Sequence, residues 1–96
     1  MQVSVTQDEI QVGRRANARL CPVSLAVGRC VSDADRVFTW PDSNKVVVFY
    51  APGQDGRRQY FKLPYGVRDW VNNWDDGRPV EPFEFEMEEL VNAIRE

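Results

Sequence analysis

The chain has 96 residues, 43% of them hydrophobic and 28% charged, with a formal net charge of −3. That length supports one hydrophobic core rather than two, and the composition excludes wholesale disorder. No apolar run approaches the roughly 18 residues of a membrane span. The start, "MQVSVTQDE", lacks the cationic and apolar regions of a secretory signal, so a cytosolic protein is expected.

Charge is unevenly placed. Up to residue 73, ten Lys/Arg stand against seven Asp/Glu; beyond it, two Arg stand against eight acids. A basic body with an acidic end can steer partners of either sign, and it also serves solubility alone. Cys21 and Cys30 would fall on opposite faces of one continuous helix, too far apart for a disulfide. A helix break near Gly28 would relax that geometry. Free, mostly buried thiols are the expectation.

In chain order, Val3–Thr6 reads as a short strand. Thr6 then caps a short helix, with Glu9 at the capping-box spacing and Gly13 as the stop. "RRANAR" is a polar connector. "CPVSLAVGRC" predicts a small buried helix that Pro22 opens and Gly28 ends. Three strands should follow as an antiparallel meander. "DRVFTW" leads through the turn "PDSN" to "KVVVFY", apolar on both faces and therefore central. "RQYFKL" alternates more and belongs towards an edge. The helix Pro64–Asp76 carries Val67, Trp70, Val71 and Trp74 on one stripe, and Gly77 stops it. The strand Pro82–Met87 alternates glutamate with Phe83, Phe85 and Met87. "EELVNAIRE" repeats a helical stripe. The expectation is a single α+β domain over residues 1–96: an antiparallel sheet of about four to five strands with short helices packed on it. The helix at 64–76 should cross one face. Val3–Thr6 and Pro82–Met87 should be neighbours, bringing the ends of the chain together.

Chemical signatures are sparse, and no enzyme is expected. Histidine is absent, which removes the commonest general base and transition-metal ligand. Two cysteines cannot build a four-ligand zinc site, and Cys21 has no histidine to activate it. No phosphate loop, dinucleotide fingerprint or nucleophile elbow is present. Glu84, Glu86 and Glu88 alternate as solvent-facing strand positions do, so a paired-carboxylate hydrolase is disfavoured. No cofactor and no metal are expected.

Two binding surfaces remain open. The first is acidic: Asp75, Asp76, Glu81, Glu84, Glu86 and Glu88, joined by Glu89, lie within fifteen residues. They suit a basic partner protein, or a groove built for nucleic-acid phosphates. The same acids also describe a solvated edge strand kept from aggregating by charge and proline. The second is basic and aromatic: Arg36, Trp40, Lys45, Arg57, Arg58, Tyr60 and Lys62, with Tyr50 and Phe61 interleaved. Cations flanking exposed rings on a sheet stack single-stranded bases. No RNP-like motif accompanies them.

Taken together, "VTQDEI" with the following Gly13, "CPVSLA", "LP" opening a helix, and "DDGRPVEPFEF" resemble a group of small uncharacterised bacteriophage proteins, mainly from phages of actinobacteria. The shared order is V-T-x-x-x-I-x-x-G, C-P-[VI]-x-L-A, a variable strand region, L-P, and D-x-G-x-P-V-x-P-F-x-F. The likeness covers the ends of the chain and hardly touches residues 31–62. Trp70 and Trp74 stand where the group has smaller or other aromatic side chains. The group has no assigned activity, so no residue role is carried over. What the resemblance implies is a non-enzymatic protein-binding module: a phage-type inhibitor that blocks a host machine in the host cytoplasm, such as a CRISPR-Cas effector, another defence complex or the transcription apparatus. The alternatives are a single-stranded nucleic-acid-binding protein and a structural or accessory phage protein.

Overall fold

The computed structural model describes residues 1–15, 17–31, 33–50 and 57–90. Its first strand, β1 (Gln2–Val5), runs into α1 (Gln7–Val12). Thr6 caps α1 with the capping box its sequence predicts: Thr6 Oγ1 accepts from the Glu9 N–H, and the Glu9 carboxylate accepts from the Thr6 N–H. Gly13 ends the helix through its N–H to the Glu9 carbonyl. It also sits so close to Glu9 and Pro22 that an added Cβ would lie 3.0 Å from each.

The second helix, α2 (Pro22–Cys30), has Pro22 in its first turn and Cys21 as N-cap. It does not stop at Gly28, as the sequence suggests, but continues to Cys30. The glycine stays helical because nothing forces a left-handed turn there, and a Cβ at this point would meet only Val37 Cγ2, at an ordinary 3.7 Å. Cys21 and Cys30 are free.

The meander forms as expected. β2 (Ala34–Trp40), β3 (Lys45–Tyr50) and β4 (Arg58–Lys62) pair antiparallel in that order. A 3₁₀ turn over Pro41–Ser43 ends at Asn44, whose left-handed backbone (φ 53°) starts β3. The helix α3 (Val67–Asp75) begins later than the proline suggests, because Gly66 takes φ 96° immediately before it. Its end is a Schellman motif: the Arg78 N–H reaches the Asn73 carbonyl, the Gly77 N–H reaches that of Trp74, and Gly77 carries φ 80°.

The last strands depart from a single sheet. β5 (Phe83–Glu86) pairs with β1 in a separate two-stranded ribbon, with Val3 opposite Phe85 and Ser4 opposite Glu84. This is the neighbour relation read from the sequence. After Met87 the chain crosses to the meander, where β6 (Glu88–Glu89) pairs with β4. Glu88 and Glu89 are therefore extended and do not open a helix. Pairing satisfies backbone groups along the β4 edge, including Leu90 N–H to the Tyr60 carbonyl at 2.8 Å, and this outweighs the apolar periodicity. It also moves β4 inward, so the outer strand on that side is β6 and not β4. The predicted helix beyond Leu90 lies outside the described residues.

One core holds both sheets. It takes Val3, Val5 and Phe85 from the ribbon, Val37, Val46, Val48 and Phe61 from the meander, and Val23, Val27, Val67, Val71 and Trp74 from α2 and α3. Ser24 fixes α2 to β2 from within: its Oγ donates to the Ala18 carbonyl and lies 2.6 Å from Thr39 Oγ1. Both residues are buried, so the Thr39 hydroxyl needs Ser24 as its partner. No helix among the described residues is long and apolar enough to cross a membrane.

Candidate functional site

Side chains directly opposite in an antiparallel ladder share a face, and residues two apart along a strand share it too. Val37, Thr39, Val46, Val48 and Phe61 point to α2 and α3. The other face of the meander is therefore fixed by register, in three cross-strand rows. The first is Arg36, Phe49 and Arg58. The second is Phe38, Val47 and Tyr60. The third is Trp40, Lys45 and Lys62, which Glu88 continues from β6. Rows follow each other at about 6.6 Å, two residues of extended chain.

This outer face is a layer of rings and cations. Val47 lies at its centre, fully buried yet outside the main core. The Phe38 and Phe49 rings meet edge to face at 5.4 Å. The guanidinium of Arg36 lies 5.0 Å from the Phe49 centroid and that of Arg58 lies 5.6 Å from it. Such cation–π contacts hold long side chains near a ring while leaving their donors open. Trp40 is 42% exposed. Arg36, Arg58 and Lys62 are exposed, and Lys45 and Tyr60 are half-buried. Arg36 also pairs with Asp35 at 3.3 Å, but both are about half exposed, so the pair is weak. A β-bulge at Asp35 sets this end of β2: Ala34 faces Tyr50 while Arg36 faces Phe49, which turns Arg36 onto the outer face.

Six of the seven basic and aromatic candidates thus come together: Arg36, Trp40, Lys45, Arg58, Tyr60 and Lys62. Arg57 does not join them; its guanidinium sits 4.6 Å over the Tyr50 ring, on the core side. Tyr50 and Phe61 also belong to the core side, at 8% and 5% exposure. Sequence reading missed Phe38 and Phe49. The period-two signal was available, since Arg36, Phe38 and Trp40 alternate with the core residues Val37 and Thr39.

The acidic candidates separate. Glu84 and Glu86 share the outer face of the ribbon with Ser4 and Gln2. Glu84 accepts from Gln2 Nε2 at 3.0 Å and Ser4 Oγ at 3.1 Å, and Glu86 pairs with the amine of Met1 at 2.5 Å. Glu88 stands with Lys62 on the meander. Glu89 accepts from Gln59 Nε2 at 2.8 Å on the core side. Glu81 precedes the ribbon strand, its carbonyl receiving the Trp70 indole N–H at 2.9 Å. Asp75 and Asp76 end α3, at the pole of the helix dipole that disfavours carboxylates. Nearby, Arg15 Nε donates to the Trp74 carbonyl at 3.0 Å, and its guanidinium lies 5.5 Å from the Trp74 ring.

One carboxylate is clearly shifted. Burial alone would raise Glu9, but the Thr6 N–H and hydroxyl and the Arg29 guanidinium together outweigh it and hold the carboxyl below its ordinary value. Arg29 donates both to Glu9, at 3.2 Å, and to the Ser4 carbonyl, at 2.5 Å, and so ties the ribbon to α1. Among the described residues no cluster of three or more His, Cys, Asp or Glu could hold a metal ion. Comparison with family models, curated proteins and solved structures finds no match.

Proposed function

We propose that the protein is a non-enzymatic binding module that holds single-stranded nucleic acid on the outer face of its meander. One observation carries the reading: the strand register collects four cations and four aromatic rings on one face, in rows about 6.6 Å apart. The exposed Trp40 and the half-buried Phe38, Phe49 and Tyr60 offer ring surface to any base, and guanidinium planes stack bases as well. The cations supply the phosphate contacts. Net charge of the whole chain is negative, so attraction relies on this local cluster of cations, and binding should be strongly salt-dependent. The test is fluorescence anisotropy with labelled single-stranded DNA and RNA 12-mers at two salt concentrations. Binding that weakens with salt, and falls about tenfold or more in Arg36→Ala/Arg58→Ala, supports the reading. No binding at low salt sinks it.

A second reading rests on the ribbon, where Glu84 and Glu86 lie side by side and exposed. That face suits a basic partner protein, in the manner of a phage-type inhibitor occupying a host complex such as a CRISPR-Cas effector. Wild type and Glu84→Lys/Glu86→Lys capturing the same host proteins would rule the ribbon out as the interface.

A further inference from the structure

The third row of the outer face does not end at the sheet. Lys62 also lines a cleft of about 460 Å³ with Asn44, Leu63, Pro64, Tyr65, Glu86 and Glu88. The cleft lies beyond β4, between the turn into β3 and the crossover from β5 to β6. Its chemistry differs from that of the outer face. Tyr65 is 100% exposed, so its ring is a platform held away from the core by the Leu63–Gly66 turn. Asn44 spends its backbone on the turn, accepting from the Leu63 N–H at 2.7 Å and donating to the Pro41 carbonyl at 3.0 Å. Its side-chain amide has no hydrogen-bond partner among the described residues. Glu86 is already engaged by the N-terminal amine. Glu88 is exposed and stands opposite Lys62 in register, and its carboxylate has no hydrogen bond or ion pair among the described residues.

We infer that this cleft is a base-selective subsite that takes one unpaired base of a strand lying on the outer face, with guanine preferred. The inference rests on the nucleic-acid reading above. Tyr65 supplies the stacking surface and Lys62 the phosphate contact. Glu88, an acceptor only, discriminates. Guanine presents two adjacent donors, N1–H and N2–H₂, which a single carboxylate accepts side by side. Thymine and uracil present one donor between two acceptors, and the acceptors face the carboxylate unfavourably. Adenine and cytosine offer an amino group beside an acceptor. A bidentate pair of this kind is worth roughly tenfold or more in discrimination. The outer face, whose cations contact phosphates and whose rings stack any base, has no such preference.

Anisotropy with four labelled 12-mers tests this: oligo-dT, and oligo-dT with one central thymine replaced by guanine, adenine or cytosine. The guanine oligomer should bind about tenfold tighter than oligo-dT. Glu88→Gln should erase that preference while leaving oligo-dT binding equal or tighter, since it removes a negative charge beside Lys62. Tyr65→Ala should weaken the guanine oligomer by about fivefold or more. Both side chains are exposed, and circular dichroism checks that the variants are folded. Equal binding of all four oligomers, or a guanine preference that survives Glu88→Gln, overturns the subsite and leaves the outer-face reading intact. Failure of every oligomer to bind at low salt overturns both.

Discussion

The ribbon and the meander treat charge in opposite ways. Along the chain, the acids of residues 75–89 are close neighbours, whereas Arg36, Lys45, Arg58 and Lys62 are spread over 27 positions. In space the order reverses. The acids separate onto the ribbon, the end of α3 and the two faces of the meander, and the ribbon glutamates are engaged by Gln2, Ser4 and the N-terminal amine. The cations, though distant in sequence, share one face because register aligns them. Charge density along a sequence is thus a poor guide to charge density on a surface when strands intervene. An alternating strand sends half its residues away, and a ladder brings in residues from elsewhere.

The comparison can be broken most forcefully through the core beneath the ribbon. Phe85 is 6% exposed and stacks on Phe83 at 5.5 Å. Phe85→Ala should cost about 3–5 kcal/mol in urea unfolding. The fraction that remains folded should bind oligonucleotide as wild type does; a loss of affinity per folded molecule would mean that the two regions are not separable. Next in size is Arg36→Ala/Arg58→Ala. Besides weaker binding, the slope of log affinity against log salt should flatten by roughly 1.4, about 0.7 for each lost phosphate contact. An unchanged slope would place the phosphates elsewhere.

A smaller effect concerns acid. Glu9 is held below its ordinary pKa, so its bonds to Thr6 and Arg29 contribute stability that is complete above the unfolded value, about 4.3. That contribution is lost as pH falls through the folded value. Unfolding midpoints of wild type and Glu9→Gln should therefore differ at pH 6 and converge towards pH 3. A constant gap across that range would show that the carboxylate's charge plays no part. Gly28→Ala is smallest and of opposite sign. The site is helical and open, so alanine should stabilise the chain by about 0.5–1 kcal/mol without altering binding. Destabilisation there would indicate that α2 and β2 pack more tightly than the 3.7 Å contact implies.

What could be read in advance follows from range. The capping box at Thr6 and Glu9, the proline start of α2, the Asn44 turn and the Gly77 stop are local devices, each written in a few adjacent residues. The β1–β5 pairing was legible because both strands alternate and each buries one face. Three features were not. The helix through Gly28 continues because the site tolerates helical geometry, which glycine neither forbids nor announces. The turn of Glu88 and Glu89 into a strand depends on the edge of β4, more than twenty residues earlier. The gathering of the outer face depends on register, which three consecutive valines in β3 conceal, since each is buried whichever way it points. Arg57 and Arg58 look alike in sequence, yet one step along the chain sends them to opposite sides of the sheet.

That run of valines makes the middle of β3 indifferent to its own phase. Val46, Val47 and Val48 would fill the core or the outer face equally well after a slip of one residue, so within the strand only its ends, Lys45, Phe49 and Tyr50, mark the alignment. The alignment is delegated to what flanks it. Asn44, in its left-handed conformation, fixes where β3 starts against β2, and its carbonyl bond to Leu63 fixes where β4 arrives. A one-residue shift at that turn would carry Lys45 and Phe49 towards the core and put valines in their places between the cations and rings of β2 and β4. The share of that surface which β3 supplies is therefore stored in a short turn at its margin, as a reading frame is stored at the start of a message.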